Sequence, residues 1–131
     1  MGLLKNILAT PRPRSRIRGI GTFLPERVVD NAELSAMITG ADEGLRESLP
    51  RYIEALTGIQ TRRWTDRAVA PSLLAAQAAR RALDAAELTG GDIDTLIFAA
   101  TDSDQLEPAT ATVVQERLGL GCVNSFDVKC A

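Results

Sequence analysis

The chain has 131 residues, 45% of them apolar, with 15 Lys+Arg against 17 Asp+Glu for a formal charge of −2. A chain of this size can bury about two-thirds of the surface it exposes when unfolded, so it forms a core without disulfides or metals, and wholesale disorder is excluded. No apolar run approaches the ~20 residues of a membrane span, and two cysteines are too few for a stapled secreted framework, which leaves a soluble, cytoplasmic protein as the expectation.

Residues 1–15 hold a short apolar start followed by Pro11 and Pro13 among arginines and read as a flexible basic leader. Their order is the reverse of a signal peptide's. Five of the fifteen basic residues precede the first acid, Glu26, leaving ten against seventeen, a net of −7, for everything after Arg18. The acidic body carries no basic face for a nucleic acid.

From Arg16 the pattern Ile17, Gly19-Ile20-Gly21, Phe23, Leu24, Pro25 predicts a strand ending in a turn. Asp30 or Asn31 then caps a helix whose apolar residues Leu34, Met37 and Ile38 recur at three and four, and Gly40 ends it. Residues 42–56 form a second helical stretch, interrupted by Pro50, with Tyr52, Ile53 and Leu56 on one side and Thr57-Gly58 closing it. Residues 59–64 are extended. Pro71 opens an alanine-rich helix over 71–88, with Thr89-Gly90-Gly91 as its stop. Gln77, Arg80, Arg81, Asp84 and Glu87 make its wet stripe, while Leu74, Ala75, Ala78, Ala82, Leu83 and Ala86 face protein. The continuous apolar run Thr95-Leu96-Ile97-Phe98-Ala99-Ala100-Thr101 predicts a strand buried on both faces of a parallel sheet. A helix over 108–118 and a strand over 122–128 follow, and the alternation defines an α/β protein with a layered sheet.

The chain has no histidine. This removes Ser-His-Asp and Cys-His arrangements built within it, and any Cys/His zinc site, so no metal is expected. Gly19-Ile20-Gly21 lacks the third glycine of a dinucleotide fingerprint and reads as a tight turn. Cys122 and Cys130, neither a CxxC pair nor a zinc knuckle, read as small buried hydrophobes. Asp102 and Asp104 follow the apolar strand, where ligands meet α/β sheets, but they read first as solvated loop residues. Glu107 precedes Pro108 at the start of a helix, where the dipole alone stabilises a carboxylate by ~0.3–1 kcal/mol. In Ser125-Phe126-Asp127-Val128-Lys129-Cys130-Ala131, a strand runs into small residues, the kind of place where a thiol nucleophile is mounted at a helix N-terminus.

Several blocks together carry a resemblance. Arg18-Gly19-Ile20-Gly21-Thr22-Phe23-Leu24-Pro25-Glu26-Arg27-Val28-Val29 with Asn31, Leu56-Thr57-Gly58-Ile59-Gln60-Thr61-Arg62, the helix 75–88, Glu107-Pro108-Ala109-Thr110-Ala111, Leu118-Gly119-Leu120 and Phe126-Asp127-Val128 occur in the order and spacing of one family. Residues 16–131 thus resemble the N-terminal half of β-ketoacyl-acyl-carrier-protein synthase III, in the thiolase superfamily, which implies half of a layered αβαβα fold.

The resemblance implies a homodimeric acyltransferase of fatty acid biosynthesis that takes acyl-coenzyme A or acyl-carrier-protein thioesters as substrates and holds no permanent cofactor. The acyl group passes to a cysteine, and Claisen condensation with a second thioester follows. In the family that cysteine stands five residues after the aspartate of Phe-Asp-Val. Counted from Asp127, it falls at position 132, so residues 16–131 are expected to be a domain cut off just before its nucleophile, inactive alone, with Cys130 only an alternate nucleophile. The tryptophan that the family places against adenine is Tyr52 here, and Leu56 stands where an arginine is usual. Glu107, with Arg62-Arg63 upstream, is similar to the long-chain condensing enzyme of olefin biosynthesis, in which a glutamate acts as base across the dimer. Two alternatives share the fold: transfer to an oxygen or nitrogen acceptor, and a non-catalytic partner subunit. A residue other than cysteine or serine at position 132 favours the second.

Overall fold

The computed structural model describes residues 15–40 and 42–129. The leader over 1–14 and Cys130 lie outside the described residues. Two structural units follow one another, each built on a pair of strands.

In the first unit, strand β1 (Arg27–Asp30) runs antiparallel to β2 (Thr61–Trp64), Arg27 opposite Trp64 and Asp30 opposite Thr61. Two helices fill the connection, α1 (Asn31–Met37) and α2 (Glu43–Thr57), and they pack on each other. Both begin on an aspartate: Asp30 accepts from the Glu33 N–H and Asp42 from the Leu45 N–H, each at 2.7 Å, satisfying donors that a helix start leaves free. Gly58, at φ 70°, ends α2 in the left-handed conformation that glycine adopts without steric cost. Asn31 pins this unit together. Its Nδ2 donates to the Ile59 carbonyl at 2.8 Å, and its Oδ1 accepts from Arg62 Nη2 at 2.5 Å.

Pro50 does not interrupt α2, contrary to expectation. A proline inside a helix leaves the carbonyl four residues earlier without its donor. Here that carbonyl belongs to Arg46, and the Ser35 hydroxyl on α1 donates to it at 2.8 Å. Ser35 is 2% exposed, and the replacement bond is made between the two helices.

The second unit contains α3 (Pro71–Ala86), β3 (Thr95–Ala99), α4 (Thr110–Leu118) and β4 (Asn124–Val128). Strands β3 and β4 are parallel, Thr95 opposite Asn124 and Ala99 opposite Val128, joined by a crossover through α4. Helix α4 packs on both strands and on α3, burying Ser72, Ala76, Ala111 and Val114. Pro71 occupies the first turn of α3 as expected, but the stop lies earlier than the glycines. Glu87 takes the left-handed conformation at φ 55°, and its N–H reaches the Asp84 and Leu83 carbonyls.

The expectation that the apolar strand is buried on both faces is corrected. Ser125 and Asp127 face α4, whereas Ile97 and its register partner Phe126 stand 57% and 45% exposed on the opposite face. Helices cover only one side of this sheet among the described residues. Cys122 is likewise exposed, not buried.

Residues 15–25 form neither the expected strand nor a turn at Gly19-Ile20-Gly21. They lie against α3, separated from the open edge of β3 by an apolar groove of about 410 Å³ lined by Ile17, Ala82, Leu83, Leu96 and Ile97. The two glycines permit the approach. A Cβ on Gly19 would stand 2.5 Å from the Ala82 carbonyl oxygen and 2.8 Å from the Ala86 nitrogen. Arg81 fixes the far end of the segment by donating to the Thr22 carbonyl at 2.7 Å and lying over the Phe23 ring.

A 3₁₀ turn (Gly90–Asp92) follows α3. Asp92 accepts from the Thr89 N–H at 2.8 Å and hydroxyl at 2.7 Å, and these bonds hold its carboxyl below the ordinary 3.8. A carboxyl depressed by folding contributes stability above its ordinary pKa and loses it as pH falls through the folded value. An NMR titration should therefore place the Asp92 midpoint below 3.8. Thr89→Ala removes the hydroxyl and keeps the N–H, so it should move that midpoint part of the way upward; an unchanged midpoint would leave the N–H as the cause and remove the hydroxyl's share.

Candidate functional site

Strand β3 leads into a loop over residues 100–109 that carries Leu106 and Glu107. Leu106 is 90% exposed, Glu107 is exposed too, and the Glu107–Pro108 peptide is cis. Pro108 does not open α4 as expected; the helix starts two residues later, at Thr110. Tyr52 stands on α2 and is also exposed, as is Leu56 one turn on; the side they share with each other faces solvent. The structure thus sets Tyr52 and Glu107 on separate units, and Cys130 lies outside the described residues. Arg62 and Arg63 are tied to backbone, Arg62 to the Asp30 carbonyl at 3.1 Å and Arg63 to the Glu26 carbonyl at 3.0 Å. They brace the β1–β2 pair.

Two aspartates acquire roles that the sequence reading did not assign. Helices α3 and α4 both begin after alanine, Ala70 and Ala109, neither of which has a side-chain acceptor for the N–H groups of the helix start. Each borrows a carboxylate from elsewhere in the chain. Asp104 Oδ1 accepts from the Ser72 N–H at 2.9 Å, so it is a cap for α3 and not merely a solvated loop residue. Asp127, at the end of β4, takes the first two donors of α4, Thr110 N–H at 2.9 Å and Ala111 N–H at 2.7 Å. The buried Thr110 hydroxyl accepts from the Asp104 N–H at 3.2 Å, and the buried Ser72 hydroxyl accepts from Arg117 Nε at 2.9 Å. One network therefore links the starts of α3 and α4, the β3–α4 loop and the end of β4. The signal in the sequence is negative: a helix starting on alanine demands an acceptor from somewhere else.

Among the described residues no group of three or more His, Cys, Asp or Glu side chains is placed to hold a metal ion, and no helix is long and apolar enough to cross a membrane. What the arrangement offers is an exposed carboxylate, Glu107, on the loop between β3 and α4.

No protein-family model matches the sequence. The chain is 44% identical over 116 residues to the β-ketoacyl-[acyl-carrier-protein] synthase III of Hyphomonas neptunium, matching 88% of this chain and 33% of that protein. It is 41% identical to the same enzyme of Laribacter hongkongensis, over 89% of this chain and 34% of that one. Among solved structures it is similar to the 3-oxoacyl-[acyl-carrier-protein] synthase III of Aquifex aeolicus, with TM-score 0.73 and 31% identity over 88% of this chain and 35% of that one. It is also similar to OleA of Xanthomonas campestris, solved with lauric acid and lauroyl-CoA, with TM-score 0.71 and 30% identity over 87% of this chain and 34% of that one.

The α/β fold is that of the thiolase superfamily of condensing enzymes. Within it, sequence and fold are those of the N-terminal portion of the β-ketoacyl-[acyl-carrier-protein] synthase III family. The chain spans about a third of the length of the curated relatives it matches.

Proposed function

We propose that this chain is the N-terminal portion of an acyl-thioester condensing enzyme, a homodimer of the cytoplasm that uses coenzyme A or acyl-carrier-protein thioesters. The observation that carries the reading is the 44% identity to a curated β-ketoacyl synthase III over 116 residues. In the first step a cysteine thiolate attacks the acyl thioester carbonyl, and the carrier thiolate leaves. In the second a carbanion α to the carbonyl of another thioester attacks the acyl-enzyme, and the cysteine thiolate leaves. A thiolate serves both steps because it attacks thioesters well and is a good leaving group.

Each residue has a place in that scheme. The family register counted from Asp127 assigns the nucleophile to position 132, not to Cys130. Tyr52 offers an exposed ring on which an adenine can stack, while Leu56 supplies no charge for a phosphate. Glu107 is the candidate base that removes the α-proton, acting across the dimer. Its chemistry, together with the likeness to the lauroyl-CoA-bound OleA, favours long acyl chains over short priming groups.

Mass spectrometry of the protein as its gene encodes it, incubated with an acyl-CoA, tests the reading. An acyl adduct is expected, and it should persist in Cys130→Ala. Loss of the adduct in that variant would make Cys130 the nucleophile and break the register; absence of any adduct in the parent would overturn the condensing-enzyme reading itself.

A further inference from the structure

We propose that Asp104 is a positioning residue for Glu107: it sets where the apex of the β3–α4 loop stands, and with it the carboxylate that the condensation step uses. The proposal rests on the reading of Glu107 as the base.

The argument begins with how little holds this loop. Among the described residues, Asp104 makes every hydrogen bond that residues 101–108 form. Its carboxylate holds the buried Ser72 N–H of α3 at 2.9 Å, and its own N–H holds the buried Thr110 hydroxyl at 3.2 Å. Thr110 is in turn held by Asp127 at 2.9 Å. These bonds close the chain from Asp104 to Thr110 into a small loop with Glu107 midway between the two anchors.

Both anchors are rigid, because Ser72 and Thr110 are wholly buried at helix starts. Glu107 itself is exposed and makes no bond of its own among the described residues. Its location is therefore inherited from Asp104 on one side and from Thr110 on the other. A group that must meet a proton on a bound substrate depends on placement to about 1 Å, and a misplacement of that size can cost on the order of 10² in rate. Cutting the Asp104 tether leaves the charge and chemistry of Glu107 unchanged and releases only its placement.

Single-turnover kinetics of the protein as encoded, with acylation and condensation followed separately, test this. Asp104→Ala should slow condensation by about tenfold or more while acylation stays within about twofold, a split that general loss of structure does not produce. Asp104→Asn should restore condensation, since its Oδ1 still accepts from the Ser72 N–H. In a Glu107→Gln background Asp104→Ala should add less than about twofold, because there is no base left to misplace. If Asp104→Ala does not fold, Asp104→Glu carries the same test, keeping the cap while displacing the loop by one methylene.

Equal slowing of both steps, or the same loss with and without Glu107, would overturn the positioning role while leaving Glu107 as base. Condensation at the parental rate in Glu107→Gln alone would overturn the base, and this proposal with it.

Discussion

Gly21→Ala should be among the most destabilising single substitutions in this chain, lowering stability by about 3 kcal/mol or more. A methyl group at this position would overlap the Ala78 carbonyl oxygen and the Ala82 nitrogen, and would approach the Arg81 carbonyl carbon to 2.8 Å. All three are backbone atoms of α3, so no side chain can rotate away to make room. Either residues 15–25 lift off the helix or α3 itself deforms, and both also break the bond from Arg81 to the Thr22 carbonyl. A thermal melt should show a midpoint lowered by on the order of 10 °C. Gly44→Ala supplies the contrast. A Cβ there meets only Asp42 Oδ1 at 3.6 Å, and alanine is the better helix former by up to ~1 kcal/mol, so that variant should melt at or above the parent. A Gly21→Ala protein melting within about 2 °C of the parent would show that the segment does not rest on α3 in solution.

Glu107→Gln should leave acylation intact and slow condensation by a factor on the order of 10² or more, equivalent to about 2.7 kcal/mol of transition-state stabilisation. The competing explanation is that Glu107 is only a charge at a helix start, in which case the substitution would cost about 0.3–1 kcal/mol of stability and leave turnover unchanged. The geometry weighs against that alternative. The first two N–H groups of α4 are already taken by Asp127, at 2.9 and 2.7 Å, and Glu107 stands three residues before the helix, exposed to solvent. The dipole has its carboxylate, so an acid at position 107 needs another reason. Parental turnover in Glu107→Gln would remove that reason and the case for long-chain condensation.

What the sequence made legible was local. Asp30, Asp42, Pro71 and Gly58 all act within four residues of their own position, and all take the places their residue types predict. The parallel pairing of the two apolar strands followed from their alternation with helices. The misreadings have a common cause in distant partners. Asp104 looked like a loop residue because the donor it satisfies lies 32 positions away, and Asp127 served only to count a register because its donors lie 16 and 17 positions away. Gly19 and Gly21 read as a turn because the helix they approach is some sixty residues further on. Of the proposed site, Glu107 and Tyr52 were singled out through family resemblance, while the bond from Ser72 to Asp104 could be found only from coordinates.

The bond from Ser35 to the Arg46 carbonyl ties the histories of two positions. While residue 50 is proline, Ser35→Ala takes away the donor that stands in for the helix's own; with an ordinary residue at 50, the helix supplies that donor and position 35 is released. The order of change therefore matters. A lineage can lose Pro50 first and then drift at Ser35, but the reverse route passes through a weakened intermediate. Homologues should show proline at 50 accompanied by a hydroxyl at 35 far more often than chance pairing gives, and serine at 35 without proline at 50 as the common relic.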